Sequence, residues 1–480
     1  MKVSLKKSFG LGVLAFAPYP IMLVMQAFFA NALSVEEVGI FASISIFCSV
    51  ILAVTNWGTD KYIISKKNIE NEEIDEVFSF EFFYCLFGYL LTLIFLRNYA
   101  NEVIGLQNSK IFEYPNLNVF WAAIGFVFFY NPLSKSKAIL EKKLRYFEAY
   151  IPLLCANIIG GIFGVGLFLT GFGVWSMILW RLSVYLIEMI ILLLISPYRP
   201  KIHFKFLKKP DFLSYCLPFF LAGLLSFIIL NADYIMVRKL LGPKELALYW
   251  MAFSVSHILI AFREIISRFL LPALSRLHED QQKIILFGKI NAALQLLAVI
   301  VVIVVTFWSD YGFVFVFGEK WSDAVPLFIV LVYAALLKLL AGLSGPLLFS
   351  LMNTRVNLNI SLLNAVILVP IVYISIIIGG LFGAVIGVLV SQIILTVYAF
   401  QTGVKNVTGL GVLSYFSYLT INIIICASLY FLALQFLGEI GVLARVYLTL
   451  FTIVFAMVSF RWSNIFKYLS DGVTYLKDIH

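Results

Sequence analysis

Two basic residues stand where charge is most costly. Arg181 lies eight residues into the apolar run 173–195, and Lys338 near the middle of another, in Ala334-Ala-Leu-Leu-Lys338-Leu-Leu. An ionisable side chain at membrane depth lines a pathway, holds an ion or is buried against an opposite charge. Extension along the helix does not easily bring either to water, since Arg181 is roughly 12 Å from the end of its run at the helical rise per residue. The chemistry open to the pair is attraction of an anion into a polar cavity; the alternative is a packing role against carboxylates of neighbouring helices. Arg263, near the end of a further apolar run, joins Arg181 and Lys338 as a cationic-cavity candidate.

Carboxylates at comparable depth are fewer. Glu188 follows Arg181 by seven residues, on the same helix face but two turns away, and with Asp233 it is a candidate for holding a coupling cation. Glu81 and Glu264 lie nearer span ends. A different kind of cluster, Lys135 and Lys137 followed by Lys142, Lys143 and Arg145, has the look of an orientation signal resting on anionic lipid. Its sharper reading makes Lys142, Lys143 and Arg145 an entrance that gathers a phosphate-bearing headgroup.

The elements that position these residues follow from composition. Of the 480 residues, 62 % are hydrophobic and 13 % charged, and the mean hydropathy is +0.99. Soluble domains carry roughly 25 % charge, so most of this surface meets a bilayer. The longest polar gaps, near Gly58 to Glu76, Arg97 to Glu113 and Ser267 to Gly288, are about 20 residues, and an independent domain needs roughly 50. An ATPase or soluble glycosyltransferase domain is thereby excluded. The five cysteines lie in apolar runs without a C-x-x-C pair and read as small core residues. The basic start, with Lys2, Lys6 and Lys7, leads into a retained first span rather than a cleaved signal.

Breaks at charge, Pro/Gly and Asn/Asp clusters divide the chain into an all-α polytopic protein of about fourteen transmembrane helices. Six are expected near 10–33, 38–57, 78–96, 114–132, 149–170 and 173–195, and six more near 212–231, 246–266, 290–308, 324–349, 358–378 and 381–401. Two C-terminal helices, 414–435 and 440–460, complete the set. The expected organisation is an N-lobe over 1–196, a basic cytoplasmic linker over 197–211, a C-lobe over 212–402, helices thirteen and fourteen within 414–460, and a tail over 461–480 lying on the inner leaflet as an interfacial helix. Alternation of loops places 26 of the 35 basic residues on one side, which by the positive-inside rule makes both termini cytoplasmic.

The two groups of six look duplicated. Leu33-Ser-Val-Glu-Glu-Val-Gly-Ile-Phe41 matches Leu241-Gly-Pro-Lys-Glu-Leu-Ala-Leu-Tyr249 in character at an offset of 208, and Gly171-Phe-Gly-Val-Trp175 matches Leu381-Phe-Gly-Ala-Val385 with Gly173 opposite Gly383. Six spans per half make the repeats parallel, an arrangement that builds a cavity between two pseudo-symmetric bundles. Gly160-x-x-x-Gly164 and Gly383-x-x-x-Gly387 are signals for close helix approach. Gln26, Asn31, Asn157, Asn364, Gln392 and Asn422 are polar positions within spans that suit either sugar binding or helix bridging.

Enzyme signatures are missing. Gly288-Lys289 is followed by Ile290, so there is no nucleotide phosphate loop, the four histidines are scattered, and no nucleophile stands with a base. No catalytic residue, metal site, cofactor or nucleic-acid partner is expected.

The stretches Leu33 to Phe41, Gly171 to Trp175, Asp233-Tyr-Ile-Met-Val-Arg-Lys-Leu-Leu-Gly242, Leu271-Pro-Ala-Leu-Ser-Arg-Leu277 and Phe317-Gly-Glu-Lys-Trp-Ser-Asp-Ala-Val-Pro326 together resemble the polysaccharide-exporter branch of the multidrug/oligosaccharidyl-lipid/polysaccharide superfamily, the O-antigen or lipopolysaccharide repeat-unit flippases. The resemblance implies two six-helix lobes with two extra helices. It implies movement of an undecaprenyl-diphosphate-linked oligosaccharide (O-antigen, capsule or exopolysaccharide repeat) from the inner to the outer leaflet of a bacterial inner membrane by alternating access. Coupling to H+ or Na+, and polymerase and chain-length proteins as pathway partners, belong to the same implication. A cation-coupled multidrug exporter of the superfamily and a membrane-embedded glycan polymerase are the competing readings. On the topology above, a reporter active only outside the cytoplasm is expected to stay silent when fused to His480; activity there would invert it.

Overall fold

The computed structural model describes residues 16–66, 69–96, 116–203, 212–275, 277, 279–351, 354–404, 412–437 and 441–462. The expected N-terminal basic segment, the outer loop near 97–113, residues 204–211 of the linker, Lys405 and the interfacial tail beyond Trp462 lie outside the described residues. The chain divides into two compact units, Met1–Trp250 and Met251–His480.

The first unit contains α1 (Pro18–Ala32), α2 (Val35–Thr55), α3 (Thr59–Ser65), α4 (Asn71–Leu96), α5 (Asn116–Leu133), α6 (Lys135–Lys142), α7 (Tyr146–Leu169), α8 (Val174–Ile195) and α9 (Phe212–Leu240), and the boundary falls within α10 (Pro243–Ser256). The second continues with α11 (Ile258–Ser275), α12 (Asp280–Phe317), α13 (Val325–Gly342), α14 (Ser344–Ser350), α15 (Thr354–Ala399), α16 (Val412–Leu437) and α17 (Val442–Trp462). Ten stretches of the described residues are long and apolar enough to cross a membrane. Gly380 divides α15 in two, and α1, α5 and α16 supply the other expected spans. The protein is an all-helical multi-pass membrane protein.

Helix is the structure that hydrocarbon permits, because every backbone donor finds its acceptor within the segment. The hydroxyls obey the same rule: Ser43, Ser45, Ser49 and Thr55 on α2 each donate to the carbonyl four residues back, at 2.7–2.9 Å. At the start of α2, Ser34 Oγ accepts from the Glu37 amide at 3.2 Å while the Ser34 amide donates to Glu37 Oε2 at 2.8 Å, a closed capping box.

Several helices outrun the spans expected from sequence. α4 begins at Asn71 rather than near 78, and α12 runs from Asp280 where a span was expected from 290. Charge marks where the bilayer ends, not where the helix does, and Glu72 and Glu73 suit the positive N-terminal turn of α4. At 38 residues α12 is about 57 Å long, against a hydrocarbon thickness of about 30 Å. It is the column of the second unit: Val302, Phe307, Leu336, Leu340, Leu419 and Cys426 bring α12, α13 and α16 into one buried cluster. α17 is fixed to it by Arg445, which bonds Asp310 at 2.9 Å and the Phe307 carbonyl at 2.7 Å.

The eighth and tenth expected spans each carry a one-residue turn, at His257 between α10 and α11 and at Leu343 between α13 and α14. Both run on as single apolar stretches, Pro243–Arg263 and Glu319–Leu348, and bonds to the carbonyl four residues back continue through His257.

Two glycines near the second of the compared motifs share one backbone conformation. Gly173, which starts α8, has φ 52° and ψ −131°, and Gly380, which divides α15, has φ 57° and ψ −136°. This conformation is closed to residues with a Cβ, so Gly173 corresponds to Gly380 and not to Gly383. The offset becomes 207, beside 208 for the first motif. The two copies of that first motif also touch: a Cβ at Gly39 would fall 2.2 Å from the Pro243 carbonyl oxygen and 3.4 Å from the Ala247 Cβ.

The small-residue spacings act as packing surfaces. A Cβ would fall 2.6 Å from Trp180 Cβ at Gly164, and only 1.9 Å from the Ser375 carbonyl oxygen at Gly383. Gly383→Ala is therefore expected to lower stability by about 1–3 kcal/mol, whereas Gly379→Ala, with nothing within 4 Å of the added methyl, leaves it unchanged. Thermal unfolding of the detergent-solubilised variants measures the contrast.

Candidate functional site

In the second unit, α11 and α13 bring two cationic candidates together. The Arg263 side chain of α11 lies over Gly342 of α13, so closely that a Cβ there would fall 2.5 Å from Arg263 Cδ and 2.7 Å from Nη1. Lys338 is one turn earlier on α13, on the same face. His257, at the end of α10, has a buried Nδ1 without a hydrogen-bond partner. Two of the three cationic residues picked from sequence thus lie on packed neighbouring helices, which sequence reading did not show. The glycine that admits the guanidinium is the signal that was available.

Polar groups of α12 face the same stretch of α13. Asn291 Nδ2 reaches the Leu340 carbonyl at 3.5 Å, Gln295 Nε2 donates to Asn291 Oδ1 at 3.3 Å, and the buried Gln295 Oε1 accepts from nothing. Neither had been singled out in the sequence, because a lone amide in an apolar run carries no pattern. Asn31, Asn157 and Asn422, which had been, donate to carbonyls of their own helices at 2.7–2.9 Å, and Asn422 also reaches Ser459 on α17.

In the first unit, Arg181 is partly exposed, its guanidinium carbon 5.5 Å from the Tyr185 ring centre, and no carboxylate among the described residues pairs with it. The Tyr185 ring meets that of Tyr130 edge-on at 5.2 Å, and the Tyr130 hydroxyl donates to Glu188 Oε2 at 2.8 Å. Glu188 is buried and takes its charge partner from α6, with Lys137 Nζ 3.4 Å from Oε1. Arg181 and Glu188 therefore share a face, as the spacing predicted, with two tyrosines between them.

Asp233 on α9 is buried. Its Oδ2 accepts from the Tyr249 hydroxyl of α10 at 2.7 Å and its Oδ1 from the Tyr234 amide at 2.9 Å.

The basic cluster is less of a free surface than its sequence suggests. Lys142 Nζ donates to the carbonyls of Ile63, at 2.9 Å, and Lys66, closing the C-terminus of α3. Burial lowers its pKa from the ordinary lysine value, against an opposing pull from Glu73. Arg145 pairs with Glu148, its Nε 2.8 Å from Oε1, and Lys143 is left exposed. Lys135, expected on a lipid-facing surface, is instead buried against Glu81 at 2.8 Å. The physical reason is that Lys135, Lys142 and Arg145 each find a carboxylate or a helix-end carbonyl that only folding places nearby.

Among the described residues no His, Cys, Asp or Glu cluster is built to hold a metal. The arrangement places positive charge at Arg263, Lys338 and Arg181 and buries the carboxylates of Glu188 and Asp233 against hydroxyl donors.

Residues 28–326 match the family described as polysaccharide biosynthesis protein. An uncharacterized membrane protein in the cps region of Klebsiella pneumoniae is 24 % identical over 391 residues, covering 78 % of this chain and 77 % of the relative. The lipopolysaccharide biosynthesis protein WzxC of Escherichia coli is 23 % identical over 214 residues, 44 % of each chain. Among solved structures, the lipid II flippase MurJ in an inward closed conformation superposes with a TM-score of 0.69 at 14 % identity, covering 94 % of this chain and 99 % of MurJ. An inward-facing multidrug resistance MATE family transporter gives 0.55 at 16 % identity, covering 83 % and 94 %. The chain belongs to the polysaccharide biosynthesis protein family.

Proposed function

We propose that this protein is a flippase that carries an undecaprenyl-diphosphate-linked oligosaccharide, an O-antigen, capsule or exopolysaccharide repeat unit, from the inner to the outer leaflet of the bacterial inner membrane. The observation that carries the reading is the meeting of Arg263 with the Lys338 face of α13 at Gly342. Charge at membrane depth marks a pathway or binding site by default, and two cations there suit a diphosphate. Family membership supports the same class of cargo, since the relatives named above serve lipopolysaccharide synthesis and lipid II flipping.

In this reading Arg181 is the cation contributed by the N-lobe, 1–196, and Lys338 and Arg263 those of the C-lobe, 212–402. The lobes alternate access while both termini stay cytoplasmic. Glu188 and Asp233 are the positions at which H+ or Na+ would couple, each by competing with the donors that now hold it. Lys143 is the exposed member of the headgroup entrance formed with Lys142 and Arg145. Polymerase and chain-length proteins act on the product.

Deleting the gene is expected to leave single lipid-linked repeats on the cytoplasmic side. Arg181→Gln or Lys338→Gln in the restored gene should cut translocation by roughly tenfold or more, the scale of a lost charge-assisted contact, with folded protein still in the membrane. Full activity of both variants would remove the cationic site. Single repeats that reach the outer face unpolymerised would point to a polymerase instead.

A further inference from the structure

The short helix α6 is fastened at its first turn to two different apolar helices. Lys135 Nζ lies 2.8 Å from Glu81 Oε2 on α4, and Lys137 Nζ lies 3.4 Å from Glu188 Oε1 on α8. Both carboxylates are buried, at 0 % and 1 % side-chain exposure. Each also has a donor that is not a lysine: the Thr59 hydroxyl on Glu81 and the Tyr130 hydroxyl on Glu188. Should the lysines withdraw, neither carboxylate is left without a hydrogen bond, which lowers the cost that makes breaking an ordinary buried ion pair prohibitive.

Three further features concern α6 itself. Ser136, between the two lysines, is buried at 1 % exposure and its hydroxyl has no partner. A buried unmade hydrogen bond costs energy that exposure to water would return. At the C-terminal end of α6, Leu144 has φ 59°, the one non-glycine positive φ among the described residues, with its apolar side chain half exposed. Non-glycine residues are held in this region only where the surroundings enforce it. At the N-terminal end, Pro132 closes α5 and the chain turns at Ser134 before α6 begins. About two turns of helix thus sit between the turn at Ser134 and the positive φ of Leu144, with an unsatisfied hydroxyl on the buried side.

We propose that α6 is a two-pronged latch across the first unit, closed by Lys135–Glu81 and Lys137–Glu188 and released when that unit rearranges. The idea rests on the transport reading for its purpose, but its first test needs no substrate. In purified protein with all five native cysteines replaced, Ser136→Cys is labelled with a hydrophilic maleimide, and a chain keeping only Cys85, buried on α4, serves as control. The latch predicts that Glu81→Gln with Glu188→Gln raises the labelling rate at residue 136 by at least about tenfold, the factor equivalent to 1.4 kcal/mol, while Cys85 stays protected. An unchanged rate at 136, or Cys85 opening in parallel, overturns it.

A second measurement joins Lys135→Cys to Glu81→Cys with a short bis-methanethiosulfonate, which forms a disulfide at each cysteine and is cleaved by a reductant. Translocation should stop on linking and return on cleavage; a linked chain that still translocates overturns the latch. A wild-type chain that restores no translocation at all refutes the transport reading instead and leaves the labelling result to decide the latch.

Discussion

The constraint on which everything else in this molecule depends is that hydrocarbon offers no partner to a polar group. Backbone amides and carbonyls must close on one another within each segment, so the apolar runs become helices. Serine and threonine hydroxyls on α2 turn back onto their own helix, and asparagines such as Asn157 do the same. Charge inside the second unit is admitted by small residues: the Arg263 side chain lies over Gly342, one turn from Lys338.

The same constraint acts on charge and separates two kinds of site. Glu81, Glu188, Asp233 and Asp310 are each answered by a lysine, a tyrosine or an arginine from another helix. Because such pairs seldom add net stability over apolar residues of the same volume, their presence speaks for specificity or motion. Arg181 differs: it leans on the Tyr185 ring, a soft partner that leaves its charge available. A single guanidinium over an aromatic face keeps enough attraction to stay in place and enough freedom to meet an anion.

Much of this was legible in advance. Apolar run length located the helices, and glycine pairs located both hairpins. Gly171 and Gly173 divide α7 from α8, and Gly380 divides α15, as expected. Less legible were helix ends, because Glu72 or Asp280 mark the edge of the bilayer while the helix continues past them. The repeat register was misread at Gly383, since two glycines three apart look alike in sequence and only φ tells which one turns the chain. Lys135 and Lys142 looked like surface charge because lysine-rich stretches do, and a sequence does not say that Glu81 or the end of α3 lies beside them.

What the sequence determined by itself was the solvent and the secondary structure. With 62 % hydrophobic residues in long apolar runs, the chain had to be a helical membrane protein, since that property follows from local composition. Which cations meet, and which are already spent on carboxylates, only the tertiary structure decided. Arg263 and Lys338 are 75 positions apart, and the face they share exists because α11 packs on α13 at a glycine too small to exclude a guanidinium. Contacts between distant segments are a property of packing, and no period or composition along the chain encodes them.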